Sequence, residues 1–289
     1  MTNQPSACRA SRSRGCDAAL AAGSAALTGA LWTQLLRGLV PGGAARWERV
    51  NHAGEPVTLL EGAALVGGTI AGVMVCGPAT GVPGHRVAAV CTTALGAAAI
   101  GALDDLRQSA DRKGLAGHLG ALRRGQVTTG SLKILVLGAS GIAGVALLDR
   151  SSAGLLDTAL GAAVVAGSAN LANLLDLRPG RALKAAGLAL LPLLLTGPRS
   201  PVAAVAGGAA AALLPADLRG TSMLGDTGAN PLGGLVGLAL VDRQGRVGRV
   251  ATVVVITGLT LASEQVSFTR VIESTPVLRE FDALGRPRR

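Results

Sequence analysis

Apolar runs, each closed by a short polar or charged stretch, alternate along most of this chain. Nine such runs fall at about 18–40, 60–80, 86–103, 129–148, 154–175, 184–197, 200–216, 230–241 and 247–265. Each approaches the roughly 20 apolar residues a helix needs to cross the hydrocarbon core of a bilayer, with the sixth and eighth shorter. The pattern predicts an all-α fold: a polytopic membrane protein with about nine transmembrane helices. Ala and Gly dominate over Leu, and small residues let helix backbones approach closely in lipid. No period of 20–50 residues repeats, so residues 18–289 read as one membrane domain behind a basic tail, 1–17, expected to be disordered. The first run resembles a signal peptide in its flanks. It is long enough to span and lacks a clear cleavage site, so it is read as the first membrane helix.

Composition sharpens that picture. Only 15% of the 289 residues are charged and 49% are hydrophobic, with a mean hydropathy of +0.47. Soluble domains carry nearer a quarter charged residues. The net charge of +10 does not point to nucleic acid, because most of the 27 Lys and Arg fall in alternate connections. The positive-inside rule then places the N-terminus outside and the C-terminus in the cytoplasm. Cys8, Cys16, Cys76 and Cys91 show no metal-ligand spacing, and His52, His85 and His118 are scattered.

With this topology the acids gather on one side. "GALDDLRQSADRKGL" ends the third helix with Asp104 and Asp105. "SANLANLLDLRPGRALK" ends the fifth with Asn170, Asn173 and Asp176, spaced by three and so able to share one arc of a helix. Asp217, at the end of the seventh run, and Asp226, in the "LRGTSMLGDTGANPLGG" that follows, fall on the same side. Polar groups at membrane depth are expensive and usually functional. Lys113, Arg178, Arg181 and Lys184 stand beside these acids. Carboxylates that hold Mg²⁺, with bases that neutralise phosphate oxygens, suit a metal–phosphate site. Asp149, on the opposite side, is expected to matter little to such a site.

Four stretches, "NHAGEPVTLLEG", "GALDDLRQSADRKGL", "NLANLLDLRPGRAL" and "MLGDTGANPLGG", occur in an order that resembles a known family, over roughly residues 20–270. These are the polyprenyl-phosphate N-acetylhexosamine-1-phosphate transferases, which include the phospho-N-acetylmuramoyl-pentapeptide translocase of peptidoglycan synthesis. The resemblance implies transfer of a sugar-1-phosphate from a UDP-sugar to polyprenyl phosphate at the cytoplasmic face of the cell membrane. It implies Mg²⁺ as cofactor, with Asp226 as metal ligand. Asp104, Asp105 and Asp176 match catalytic positions, and Asn173 and Lys113 substrate-binding ones; Arg178 and Lys184 are assigned to substrate by their charge beside the acids. The implied partners are the lipid phosphate, the UDP-sugar and the membrane; a homodimer is one assembly open to the chain. Two features depart from the family pattern. Pro179 replaces an acid in "DLRPG", and the end "SEQVSFTRVIESTPVLREFDALGRPRR" replaces a histidine-rich loop and a tenth span. A catalytically silent relative serving envelope synthesis is one alternative. A secondary transporter is another, disfavoured because the acids lie at helix ends rather than at the midplane of repeated halves. From Phe268 onward, apolar residues at near-helical spacing predict an interfacial helix, broken or kinked at Pro276.

Overall fold

The apolar runs fold as helices. A computed structural model describes residues 6–38, 40, 43–51, 54–107, 129–149, 154–196 and 198–287. Among them are eleven α-helices: α1 (Ser6–Leu36), α2 (Leu60–Ala79), α3 (Gly84–Arg107), α4 (Thr129–Leu148), α5 (Leu155–Leu175), α6 (Arg181–Leu195), α7 (Pro201–Leu218), α8 (Gly225–Val241), α9 (Arg246–Gln265), α10 (Phe268–Ser274) and α11 (Pro276–Ala283). Seven of them, α1 to α5, α7 and α9, are long and apolar enough to cross a membrane, which makes this a helical membrane protein. The other two helices matching predicted spans, α6 and α8, have 15 and 17 residues.

Two boundaries differ from the sequence reading by more than four residues. Helix α1 begins at Ser6, inside the segment expected to be a tail. Its Asp17 is buried, accepting hydrogen bonds from Arg199 Nε at 3.0 Å and the Ser200 amide at 2.8 Å, which ties α1 to the start of α7. Helix α8 begins at Gly225 rather than near 230, so Asp226 lies in its first turn. The physical reason lies in its surroundings. Helix α8 packs against α2, α3, α4, α5, α6 and α7, and all of its residues except Asp226 and Leu240 are buried. A helix enclosed by protein does not need an apolar first turn to satisfy lipid.

Close approach to α8 depends on missing side chains. A Cβ on Gly101 of α3 would overlap the Asp226 carbonyl oxygen, and one on Gly62 of α2 would overlap that of Leu224. At the other extreme, α9 packs on α5 and buries only Arg249 and Ile256.

A β-hairpin, β1 (Glu48–Val50) and β2 (Pro56–Thr58), precedes α2 with Arg49 opposite Val57. Thr58 bridges to Ser222, joining the hairpin to the α7–α8 connection. After α9 the chain forms two short helices, and Pro276 starts the second, where its missing N–H costs nothing.

Candidate functional site

Asp104 and Asp105 lie in the last turn of α3, where Gly101 lets that helix touch the start of α8. Their roles diverge at once. Asp105 Oδ1 accepts the Asp226 N–H at 3.1 Å, and Oδ2 accepts the Thr227 N–H at 2.8 Å and the Thr227 hydroxyl at 2.6 Å. Helix α8 has no side-chain cap of its own. Asp105 supplies that cap from a neighbouring helix, satisfying orphan N–H groups at the positive end of the helix dipole. Arg49 of the hairpin donates to the Asp105 carbonyl oxygen and fastens the first loop to this corner.

Asp104 turns to a different partner. Lys133, in the second turn of α4, hydrogen-bonds Asp226 Oδ2 and lies 3.6 Å from Asp104 Oδ2. Two carboxylates from α3 and α8 therefore converge on one ammonium, with all three side chains partly open to solvent. Sequence reasoning missed Lys133. Its signal was a cation inside the fourth apolar run, the sort of residue that marks a site in a membrane segment.

A second group of acids adjoins the first. Asp176 ends α5, 5% exposed, with Oδ2 lacking a hydrogen-bond partner. Asp217, 1% exposed, accepts the Gly180 N–H at 3.1 Å. Glu61, fully buried at the start of α2, accepts from the Ser222 hydroxyl, and its other oxygen is unpartnered. Glu61 and Ser222 also went unnoticed in the sequence. Asp176, Asp217 and Ser222 line a cleft of about 410 Å³ with Val57, Arg178 and Met223.

Burial pushes the Asp176 carboxyl well above its ordinary range, and the charge of Asp217 adds to the rise. A raised acid gives stability that is complete below its unfolded pKa and lost as pH rises through the folded one. Asp176→Asn removes that loss. We expect it to unfold at a higher temperature than the wild type at pH 8, by a few °C at about 2–4 °C per kcal/mol, with no gain at pH 4. Thermal unfolding in detergent checks this, and a variant less stable than wild type at pH 8 would contradict it.

The remaining expected residues separate. Asn173 is half-buried one turn before Asp176. Lys113 lies outside the described residues. Arg178 pairs with Glu273 at 2.9 Å. Lys184 donates to the carbonyls of Phe281 at 3.0 Å and Leu284 at 3.2 Å, and to that of Asp282. Both cations assigned to substrate are thus engaged with the C-terminal helices.

No protein-family model matches this chain, and no curated protein matches it either. Any functional reading rests on these residues and on the motifs that carry them. Among the described residues no three His, Cys, Asp or Glu are grouped to hold a metal by themselves. Two carboxylates sharing a cation is a smaller set. It fits Mg²⁺, which takes one or two protein carboxylates and completes its octahedron with water and substrate phosphates.

Proposed function

We propose that this chain is a divergent polyprenyl-phosphate sugar-1-phosphate transferase of the cell membrane, acting on a UDP-sugar at the cytoplasmic face. The observation that carries this reading is the convergence of Asp104, from the end of α3, and Asp226, from the start of α8, on Lys133 of α4. Acids and a base held together at helix ends suit phosphoryl transfer better than cation transport.

Asp226 and Asp104 are the residues that would hold Mg²⁺, which when bound offsets charge on the two phosphates as they approach. Lys133 neutralises phosphate oxygens directly. In the reaction, an oxygen of the lipid phosphate attacks the phosphorus bearing the sugar. The bond from that phosphorus to the bridging oxygen breaks, and UMP leaves. Little covalent work falls to the protein, and positioning with charge neutralisation supplies most of the rate. Asp105 contributes by fixing the first turn of α8, and with it the Asp226 carboxylate. With both its oxygens accepting N–H groups, Asp105 is poorly placed to take a proton and serves by position. Asp176 and Asn173 face the nucleotide-sugar side.

Purified protein incubated with polyprenyl phosphate, Mg²⁺ and a panel of UDP-sugars should yield a lipid carrying sugar and diphosphate by mass spectrometry. Chelation of the metal should abolish that product. One observation favours the silent-relative reading: Lys133 already neutralises the carboxylates that would bind metal. A product absent with every UDP-sugar would decide for it.

A further inference from the structure

The C-terminal helices form a strap against the turn that leads from the cleft into α6, and buried charge holds them there. Arg181, the first residue of α6, is 5% exposed and Asp282 of α11 is 8% exposed. Arg181 Nε and one terminal nitrogen donate to the two Asp282 oxygens at 2.8 and 3.0 Å, a bidentate pair, and another donates to Thr269 at 2.9 Å. Such fork-to-fork pairs combine strength with a fixed orientation. Arg286 lies 3.0 Å from Asp282 Oδ2 and donates to the Pro179 carbonyl at 2.8 Å. Lys184 reaches the carbonyls left over at the end of α11, where a cation also suits the helix dipole. Gly285 packs on Leu218 of α7.

These contacts meet the cleft at one place. Pro179 lines it, and Gly180, in the left-handed region at φ 74°, gives its N–H to Asp217 in the same lining. Arg181 follows directly. The turn that ends in the clasp therefore carries Asp176, Arg178 and Pro179 into the cleft. Burial alone would raise the Asp282 carboxyl, but the two Arg181 bonds and the charges of Arg181 and Arg286 hold it below the usual range.

We propose that Arg181 and Asp282 are positioning residues. Their clasp makes the strap a buttress that sets the Asp176–Gly180 wall of the cleft, and with it ligand affinity. Removing one partner of a buried pair leaves the other uncompensated, so the wall should loosen locally. Only the choice of ligand rests on the transferase reading.

Hydrogen exchange of the full chain in lipid nanodiscs tests the clasp, with Gly180 and Arg181 as reporter amides. Asp282→Asn should speed their exchange at least about tenfold, while α8 stays protected as in the wild type. Asp282→Glu, which keeps the charge, should restore most of the protection. Should Asp282→Asn fail to fold, Arg286→Ala is the second variant, with the same local pattern to a smaller degree. Wild-type protection of the turn in these variants would overturn the proposal, as would exchange that rises equally through α8.

Titration with UDP follows the consequence for the ligand. Weaker binding by several-fold in Asp282→Asn is expected, and an unchanged affinity beside a loosened turn would overturn the positioning role. Absence of UDP binding to the wild type would count against the transferase reading alone, since the exchange result stands without it.

Discussion

Asp226→Asn should lower sugar-phosphate transfer by about a thousandfold or more. Asn keeps the volume of Asp226 but removes the charge that balances Lys133 and that, in the proposed reaction, would hold the metal. A bound metal ion supplies several kcal/mol at such a transition state, and each 1.36 kcal/mol is a factor of ten in rate. The fold should survive, because Asp226 anchors to Asp105 through its backbone N–H, which the substitution leaves in place. UMP release together with an unchanged unfolding temperature checks both halves. Asp105→Asn should behave differently. An amide offers a single acceptor oxygen in place of the two that hold Asp226 and Thr227. Loss of activity should therefore come with destabilisation of about 0.5–2 kcal/mol, the usual cost of a lost helix cap.

Gly101→Ala is expected to be as damaging without touching a charged group. The added methyl meets the Asp226 carbonyl oxygen, backbone that cannot swing aside. Helix α3 has to move off the first turn of α8, which separates Asp104 and Asp105 from their partners. Overpacking of this kind costs about 1–3 kcal/mol. We expect a lower unfolding temperature and transfer near background. Gly138→Ala on α4 is the control, since nothing lies within 4 Å of its new methyl. There a better helix former replaces a poor one, and stability should hold or rise slightly. Equal behaviour of the two variants would show that the α3–α8 approach is not what positions the acids.

The membrane helices were legible because lipid imposes a simple rule, and 60–80, 129–148 and 154–175 each match a helix to within a residue. The rule fails where protein replaces lipid. The first turn of α8, "GDTGA", was missed because its surroundings are helices rather than acyl chains. Asp104, Asp105 and Asp226 were recognisable from spacing and shared side. Their division of labour was not, since capping of α8 by Asp105 is a tertiary contact with no local pattern. Lys133 carries no spacing signal either, being brought to Asp226 only by packing of α4. Asp149 shows the same limit just past the other end of α4. Expected to matter little to the acid site, it lies 2.6 Å from Arg249, itself 6% exposed, so Asp149→Asn would leave a buried guanidinium without its carboxylate. Arg178 and Lys184 read as phosphate-binding cations beside a cluster of acids. The C-terminal strap they hold lies about a hundred residues further along the chain, beyond the reach of local pattern.

In the proposed reaction, the acids around Lys133 support metal-dependent transfer to a lipid phosphate. The most direct measurement is UMP release by purified wild-type protein from a panel of UDP-sugars, with polyprenyl phosphate and Mg²⁺ each present or withheld. Release is expected from at least one UDP-sugar only when lipid phosphate and Mg²⁺ are both supplied, and release near background from Asp226→Asn. No release from any UDP-sugar, or full release from Asp226→Asn, would contradict the proposed reaction.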